Sequence, residues 1–170
     1  NQDAADRTAN TGIFISLCCA VIFAFIGIFL SRPFFLMQTE TEEIVQWGTA
    51  YASICLGCSF GIFSQFCFER LLQSTGRTTL AMVTQLTGAV VNIILDPILI
   101  FGYLGFPQLG VKGAAIATVA GQIVAAVFAV ILNIKCNPEI HISLKKIRWH
   151  KETAKGILKV GFPSIIMQSI

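Results

Sequence analysis

Polar residues and one glycine recur at intervals of three or four positions in an otherwise apolar stretch of this chain. Gln85, Gly88, Asn92 and Asp96 are three, four and four residues apart, so in a helix they lie along one side. Asp96 carries a carboxylate among apolar neighbours, and the Asn92 amide lies one helical turn before it. Carboxylate and amide oxygens together can hold a proton or a small cation such as Na⁺. The pattern therefore indicates an ion site that needs no covalent chemistry.

Pro97 follows the carboxylate directly. Proline lacks a backbone N–H, so it leaves the carbonyl of Ile93 without its usual helical partner and loosens the helix there. We expect a helix hinge at Pro97 beside the ion site. A structural interpretation stays open, because Asp96 would lie roughly 9 Å below the turn at residues 102 and 103 and could cap or pack the helix near its outer end.

The elements that position these residues are predicted to be membrane helices, because the composition leaves too little polar surface for a water-soluble domain. Of the 170 residues 55% are hydrophobic and 12% are charged, and the mean hydropathy is +0.75. No Asp, Glu, Lys or Arg occurs in residues 13–31, 44–68, 78–95 or 113–134, and a spanning helix requires roughly 18–20 residues. The sequence predicts an all-α, polytopic transmembrane helix bundle with spans near residues 12–35, 44–70, 78–102 and 113–135.

The predicted membrane location favours a functional role for Asp96 over a purely structural one. A charged side chain at the bilayer centre costs about 2.5 kcal/mol or more, so it usually faces protein or water and marks an ion or substrate path. On the fourth predicted span, Ala114, Thr118 and Gln122 form another face with four-residue spacing. We expect the Thr118 hydroxyl to point toward the same cavity as Asp96, with Gln85 and Gln122 lining it.

Basic residues set the expected orientation, since short cytoplasmic connections carry an excess of Lys and Arg. Of the 12 Lys and Arg residues, all but Arg32 and Lys112 fall on one side of the membrane if the four spans alternate. We therefore place residues 1–12, 69–77 and 135–156 in the cytoplasm, with the acidic turn at residues 40–43 and the loop at 103–111 outside. The net charge of +3 reflects this topology and gives no reason to expect nucleic acid as a partner.

The chain reads as a piece of a longer protein. Residues 1–135 are expected to form part of an amino-terminal transmembrane lobe, and residues 136–155 a basic cytoplasmic linker that contains His141 and His150. Residues 156–170 then begin another apolar helix, beyond the lobe boundary that we place in the linker. The first residue is Asn, and the sequence stops as this last apolar helix starts, which indicates an incomplete domain.

Cysteine and histidine give little sign of chemistry. Five of the Cys residues lie in predicted spans, where a thiol behaves as a small apolar group. Cys55 and Cys58 have redox-motif spacing but would lie in mid-helix, so a redox role is not expected. The two His residues have no Cys or carboxylate at ligand spacing. A disulfide framework and a histidine metal site are both disfavoured.

Small residues indicate where helices approach one another. Gly57 and Gly61 form a small-xxx-small pattern on the second span, and Gly113, Ala117 and Gly121 repeat it on the fourth. Such stripes let helix backbones pack closely in membranes. They predict a bundle but say nothing about what it transports.

Three strings carry a family resemblance. Residues 69–78 read ERLLQSTGRT, residues 92–102 read NIILDPILIFG, and residues 109–118 read LGVKGAAIAT. Together they resemble the multidrug and toxic compound extrusion (MATE) transporters. The resemblance covers essentially the whole chain, is strongest from about residue 66 to 122, and implies helices three to six of a twelve-helix, two-lobe protein. Residues 159–164, KVGFPS, are similar to the opening of the seventh helix.

The resemblance implies secondary active antiport, in which a drug-like and often cationic, amphipathic compound leaves in exchange for Na⁺ or H⁺. Asn92 and Asp96 match the cation-binding pair on the family's fifth helix, and Thr118 matches a hydroxyl on its sixth helix. Glu69 stands where some relatives place an Asn of the same site. The interpretation favoured for Glu69 is nevertheless a cytoplasmic helix-end charge paired with Arg70 or Arg77.

The sequence hypothesis is therefore a multi-pass transporter of the cell's plasma (inner) membrane that works by alternating access. We expect a monomer without a cofactor and without enzyme activity, whose partners are a small-molecule substrate and the lipid bilayer. A flippase of lipid-linked oligosaccharides with the same architecture is the main alternative. Less favoured are an intramembrane aspartyl protease, which needs a second catalytic Asp, and a membrane scaffold, which leaves the polar face without a purpose.

Overall fold

A computed structural model describes residues 2–139 and 150–169 of the chain. Its helices are α1 (Gln2–Gln38), α2 (Glu42–Gly57), α3 (Phe60–Ser74), α4 (Thr78–Phe101), α5 (Val111–Cys136) and α6 (Lys151–Ser169), with a short 3₁₀ turn at Tyr103–Gly105 after α4. No strand occurs in the described ranges. The predicted all-α helix bundle is confirmed.

Helices α1, α4 and α5 are each long and apolar enough to cross a membrane. Helices α2 and α3 pass the same test only as a pair that bends by 48°, so the described residues hold up to four spans. Large apolar side chains cover the outside of the bundle: Phe29 is 66% exposed and Ile93 is 69% exposed. Such a surface is unfavourable in water but matches the hydrocarbon of a bilayer.

The second predicted span is broken, and this corrects the sequence prediction of one helix through residues 44–70. Cys58 ends α2, so the pair Cys55 and Cys58 does not lie in mid-helix. Ser59 lies in the break with only 1% of its surface exposed, and its hydroxyl donates to the Ala20 carbonyl of α1 at 2.8 Å. Glycine and serine are weak helix formers, and this tertiary hydrogen bond holds the bend against α1.

Close helix packing is concentrated between α4 and α5. A Cβ placed on Gly121 would come within 2.8 Å of the Gly88 carbonyl oxygen, so the two backbones approach where only glycine fits. Gly113 likewise lies against the backbone of Leu99, and Ala117 is fully buried. The predicted stripe of small residues on the fourth span is confirmed.

The stripe predicted for the second span is wrong, because the bend turns its two glycines toward different helices. Gly57 lies near Ile28 of α1, whereas Gly61 lies near Ile123 of α5. Both glycines still mark packing positions, but they do not share one face.

Helix ends differ from several expected bounds. Helix α1 begins at Gln2 and continues to Gln38, so it exceeds the predicted span of residues 12–35 at both ends. Helix α6 begins at Lys151, inside the range expected for the linker, and Ala154 is buried. The middle of that range, residues 140–149 with His141, lies outside the described residues. The division into lobes stays a prediction.

Candidate functional site

Asn92 and Asp96 lie one turn apart on α4, opposite Thr118 of α5. With its amide nitrogen toward the carboxylate, Asn92 donates to Asp96 Oδ2 at 3.0 Å and accepts from the Thr118 backbone N–H at 3.1 Å. With the amide reversed, Asn92 donates to the Thr118 hydroxyl at 3.3 Å. The first orientation satisfies both ends of the amide. Asn92 therefore bridges the carboxylate to α5, and the structure brings together three residues expected in the site.

One oxygen of Asp96 has nothing to bind among the described residues. Oδ1 is buried without a hydrogen-bond partner, although the side chain as a whole is half-buried. A buried acceptor left unpaired costs roughly 1–3 kcal/mol, and more when it is charged. A proton or a small cation at Oδ1 would remove that cost.

Thr118 supplies a further oxygen at the same place. Its hydroxyl donates to the Ala114 carbonyl of its own helix at 2.9 Å, which leaves lone pairs on Oγ1 that can accept or coordinate. Among the residues that the structure describes, no three His, Cys, Asp or Glu side chains cluster as a metal site. A Na⁺ ion at Asp96 would therefore rely on amide, hydroxyl and carbonyl oxygens beside the single carboxylate.

Pro97 lies inside α4, and the helix continues through it to Phe101. A helix break at Pro97 is thus not seen. The missing N–H of proline still leaves the Ile93 carbonyl without its normal helical donor. The expected hinge is accordingly a weak point within a continuous helix.

A groove of about 310 Å³ runs beside these residues, between α3, α4 and α5. Both glutamines expected to line a cavity do so, and the polar groups that line it are Gln65, Gln85, Asn92, Thr118 and Gln122. Gln122 Oε1 is buried and has no partner within the described part of the chain. Asp96 itself is not among the lining residues, so the Asn92 amide connects it to the groove.

Glu69 contradicts the interpretation favoured from sequence. It is only 1% exposed, and its carboxylate accepts from Gln65 Nε2 at 2.9 Å, Thr84 Oγ1 at 3.0 Å and Gln85 Nε2 at 2.9 Å. Arg70 points elsewhere and donates to Gln73. The pairing with Arg70 or Arg77 is therefore wrong, because packing of α4 on α3 places neutral donors around the acid.

Glu69 and its three donors, Gln65, Thr84 and Gln85, form a second polar cluster. Sequence reasoning missed two of these residues, Gln65 and Thr84. Gln65 precedes Glu69 by one helical turn, and Thr84 precedes Gly88 of the polar α4 face by the same interval. The four-residue spacing that indicated Asn92 and Asp96 was thus also present here. Gln85 and Gln65 contact Glu69 and also line the groove.

A larger cavity of about 730 Å³ lies between the end of α1 and the first turns of α2, with Lys112 at the start of α5 in its wall. Its lining includes Arg32 and Lys112, the two basic residues expected outside, together with Glu40 and Glu42. None of the candidate site residues lines it. The charged rim agrees with a membrane surface at this end.

Comparison with known proteins agrees with this architecture. A profile of the MatE family matches residues 1–98. The multidrug export protein MepA of Staphylococcus saprophyticus is 32% identical over 159 residues, which cover 94% of this chain and 34% of MepA.

Solved structures agree as well. A transporter of the MOP superfamily from Pyrococcus furiosus, described as having a binding pocket of reverse polarity that suggests a different function, superposes with a TM-score of 0.87 at 28% identity and covers 98% of this chain. An outward-facing multidrug resistance MATE transporter gives a TM-score of 0.86 at 28% identity over 96% of this chain.

The chain spans about a third of the length of these relatives, 34% of MepA and 36% of each transporter structure. Within that third, the order of helices and the apolar outer surface match a multi-pass membrane protein. Since the family profile covers residues 1–98 of the 170, the chain belongs to the MatE family, the multidrug and toxic compound extrusion transporters.

Proposed function

We propose that this chain forms the ion-coupling wall of a secondary antiporter, which exports drug-like, cationic amphipathic compounds in exchange for Na⁺ or H⁺. The observation that carries the proposal is the buried Oδ1 of Asp96, which has no hydrogen-bond partner among the described residues and lies beside an amide and a hydroxyl oxygen. Membership of the MatE family and the similarity to a multidrug export protein support export as the direction and drug-like compounds as the substrate class.

Ion binding would change the packing of α4 against α5. When Asp96 is charged, its Oδ1 needs water or a cation, which favours an arrangement open to solvent. When a proton or Na⁺ neutralises it, the carboxylate can stay buried behind Asn92. An ion drives a conformational change only by binding the two states with different affinity, and burial of Asp96 is such a difference. The weakened backbone at Pro97 lets α4 adjust at this level.

The groove between α3, α4 and α5 would be one wall of the substrate path. Drug-sized ligands occupy pockets of roughly 300–1,000 Å³, and the groove of about 310 Å³ lies at the lower end of that range. Its lining mixes amide groups with the apolar side chains of Ile62, Phe66 and Ala89. Such a surface suits an amphipathic compound, and the acidic groups behind it favour a positive charge.

The domain organisation belongs to the same proposal. We assign residues 1–135 to one transmembrane lobe and residues 156–170 to the start of the next, joined by a cytoplasmic linker. Alternating access then occurs by movement between the lobes, in a transporter that acts as a monomer and uses no cofactor other than the coupling ion. Light scattering of the purified full-length protein in detergent tests the monomer.

The test uses the full-length protein in proteoliposomes, with a fluorescent cationic dye as the substrate and separate Na⁺ and H⁺ gradients. The wild type should transport the dye under at least one gradient, and Asp96→Asn should abolish the gradient-driven part. Glu43→Gln is the matched control, because Glu43 is an exposed acid in the first turn of α2. Unchanged coupling in Asp96→Asn would exclude this carboxylate from the site. Movement of a lipid-linked oligosaccharide without dye transport would instead favour a flippase.

A further inference from the structure

Glu69 is a buried acid that contacts no charged side chain among the described residues. Gln65, Thr84 and Gln85 donate to its two oxygens, and all three donors are neutral. A buried charge is normally paired with an opposite charge or changes its protonation state. The negative charge of an ionised Glu69 would therefore have to be neutralised by a bound proton or cation.

The Thr84 hydroxyl has two acceptors for its single hydrogen. Oγ1 lies 3.0 Å from Glu69 Oε1 and 2.7 Å from the Ala81 carbonyl oxygen. If Glu69 is ionised, the hydroxyl can donate to the carboxylate. If Glu69 is protonated on Oε1, its O–H can donate to Thr84 Oγ1 while the threonine turns its hydrogen to Ala81. Both protonation states of Glu69 are thus hydrogen-bonded without any change in backbone position.

Neutral side chains bond Glu69 or the neighbouring backbone of α3 from each of the helices α1, α4 and α5. Thr84 and Gln85 face Glu69 from α4. Asn133 of α5 donates to the carbonyl of the preceding residue, Phe68, and Ser16 of α1 bonds the Phe63 carbonyl on the same helix.

The titratable neighbours on α3 itself are also engaged elsewhere. The Cys67 thiol lies beside Ser16 of α1, and the Arg70 guanidinium donates to Gln73. Among the described residues, no cation contacts the Glu69 carboxylate.

We propose that Glu69 is a second proton-binding site of this lobe, separate from Asp96, in which the Thr84 hydroxyl switches between Glu69 and Ala81. On release, the Oε1–H bond breaks, the proton passes to water in the groove, and Glu69 keeps the electron pair as a carboxylate. The use of this proton in transport rests on the proposed antiport function, whereas the binding of the proton does not.

The groove provides the route between the two acids. Gln85, which holds Glu69, and Asn92, which holds Asp96, both line it and are seven residues apart on α4, or roughly 10 Å along the helix. Gln122 also lines the groove, and its buried Oε1 has no hydrogen-bond partner among the described residues. This oxygen can therefore accept a hydrogen bond from water between Gln85 and Asn92. The two acids are therefore distinct centres joined by one polar path.

Infrared difference spectroscopy of the purified full-length protein tests proton binding without transport. Spectra recorded between low and high pH in the absence of Na⁺ should show a carboxylic acid C=O band that disappears as the pH rises. Glu69→Gln should remove one component of this band, and Asp96→Asn should leave that component in place. A band that is identical in Glu69→Gln and wild type would overturn the proposal, as would a Glu69 component that responds to Na⁺ at constant pH but not to pH.

A pair of variants at position 84 tests the switch. Thr84→Ser keeps the hydroxyl and should keep the midpoint of the Glu69 component. Thr84→Val removes a donor to the ionised form, so its midpoint should differ from that of the wild type. Equal midpoints in the Ser and Val variants would refute the role of Thr84. Size-exclusion profiles of all variants control for folding, and the position-84 pair keeps the test available if Glu69→Gln does not fold.

Transport assays separate this inference from the proposed function. If the wild type shows the Glu69 band but transports nothing under any gradient, the antiport proposal fails and the proton site stands. If dye efflux is driven by an ion gradient and the Glu69 band is missing, the second proton site fails and the antiport proposal stands. With both correct, Glu69→Gln should reduce by one the number of protons exchanged per dye molecule.

Discussion

The Gly121→Ala variant is the sharpest test of how close packing supports the ion site. The added Cβ would lie 2.8 Å from the Gly88 carbonyl oxygen and 3.4 Å from Asn92 Cβ. The first contact is with backbone, so the clash is relieved only if α4 and α5 move apart by roughly 0.5 Å, to reach an ordinary contact distance.

That displacement is large compared with the tolerance of a hydrogen bond. Asn92 reaches Thr118 N–H at 3.1 Å or its hydroxyl at 3.3 Å, and an added 0.5 Å, roughly, takes both beyond useful hydrogen-bond length. Overpacking of this kind costs about 1–3 kcal/mol. We expect Gly121→Ala to lower the thermal unfolding midpoint and, more strongly, to weaken coupling of efflux to the ion gradient.

The assay compares unfolding in detergent with gradient-driven dye efflux in proteoliposomes. Gly12→Ala is the control, because a Cβ on Gly12 of α1 meets nothing within 4 Å and alanine favours a helix. Its stability should equal or exceed that of the wild type, with unchanged efflux. The reasoning is refuted if Gly121→Ala matches the wild type in both measurements, since the backbones would then not be in contact at Gly88.

Two further substitutions test other contacts. Thr118→Val should weaken ion binding about tenfold or more through loss of one oxygen ligand or acceptor, whereas Thr118→Ser should keep the wild-type affinity. Ion titrations of substrate binding measure the ion affinity of both variants. Equal affinities in the two variants would show that Thr118 does not belong to the site. Ser59→Ala should lower the free energy of unfolding by about 1 kcal/mol, because the bond to the Ala20 carbonyl is lost in a buried place; an unchanged unfolding midpoint would show that this bond does not hold the bend.

The sequence predicted the main elements of the ion site because they are local. Asn92 and Asp96 share a face through helical periodicity alone, whatever surrounds them. Thr118 was placed opposite them by its own four-residue pattern and by family resemblance. The long charge-free stretches were equally readable, since a bilayer demands about 20 apolar residues per helix and leaves few alternative structures.

Features that depend on distant contacts were not readable from the sequence. The bend between α2 and α3 depends on Ser59 reaching a carbonyl of α1, and no pattern within residues 44–70 indicates that partner. Glu69 was assigned to the nearest bases in the sequence, Arg70 and Arg77, because spacing along a chain says nothing about which side of α3 another helix covers.

Sequence by itself thus determined that this chain is a membrane helix bundle with a polar face on α4, because hydropathy and periodicity follow from the order of residues. Only the tertiary structure decided which acids are solvated and which are enclosed. Burial and hydrogen bonding are set by the helix packed opposite. Within the described residues, Oδ1 of Asp96 meets no donor, whereas Thr84 and Gln85 of α4 donate to Glu69. The physical reason is that a carboxylate's partners are chosen by proximity in space, which the order of residues alone does not specify.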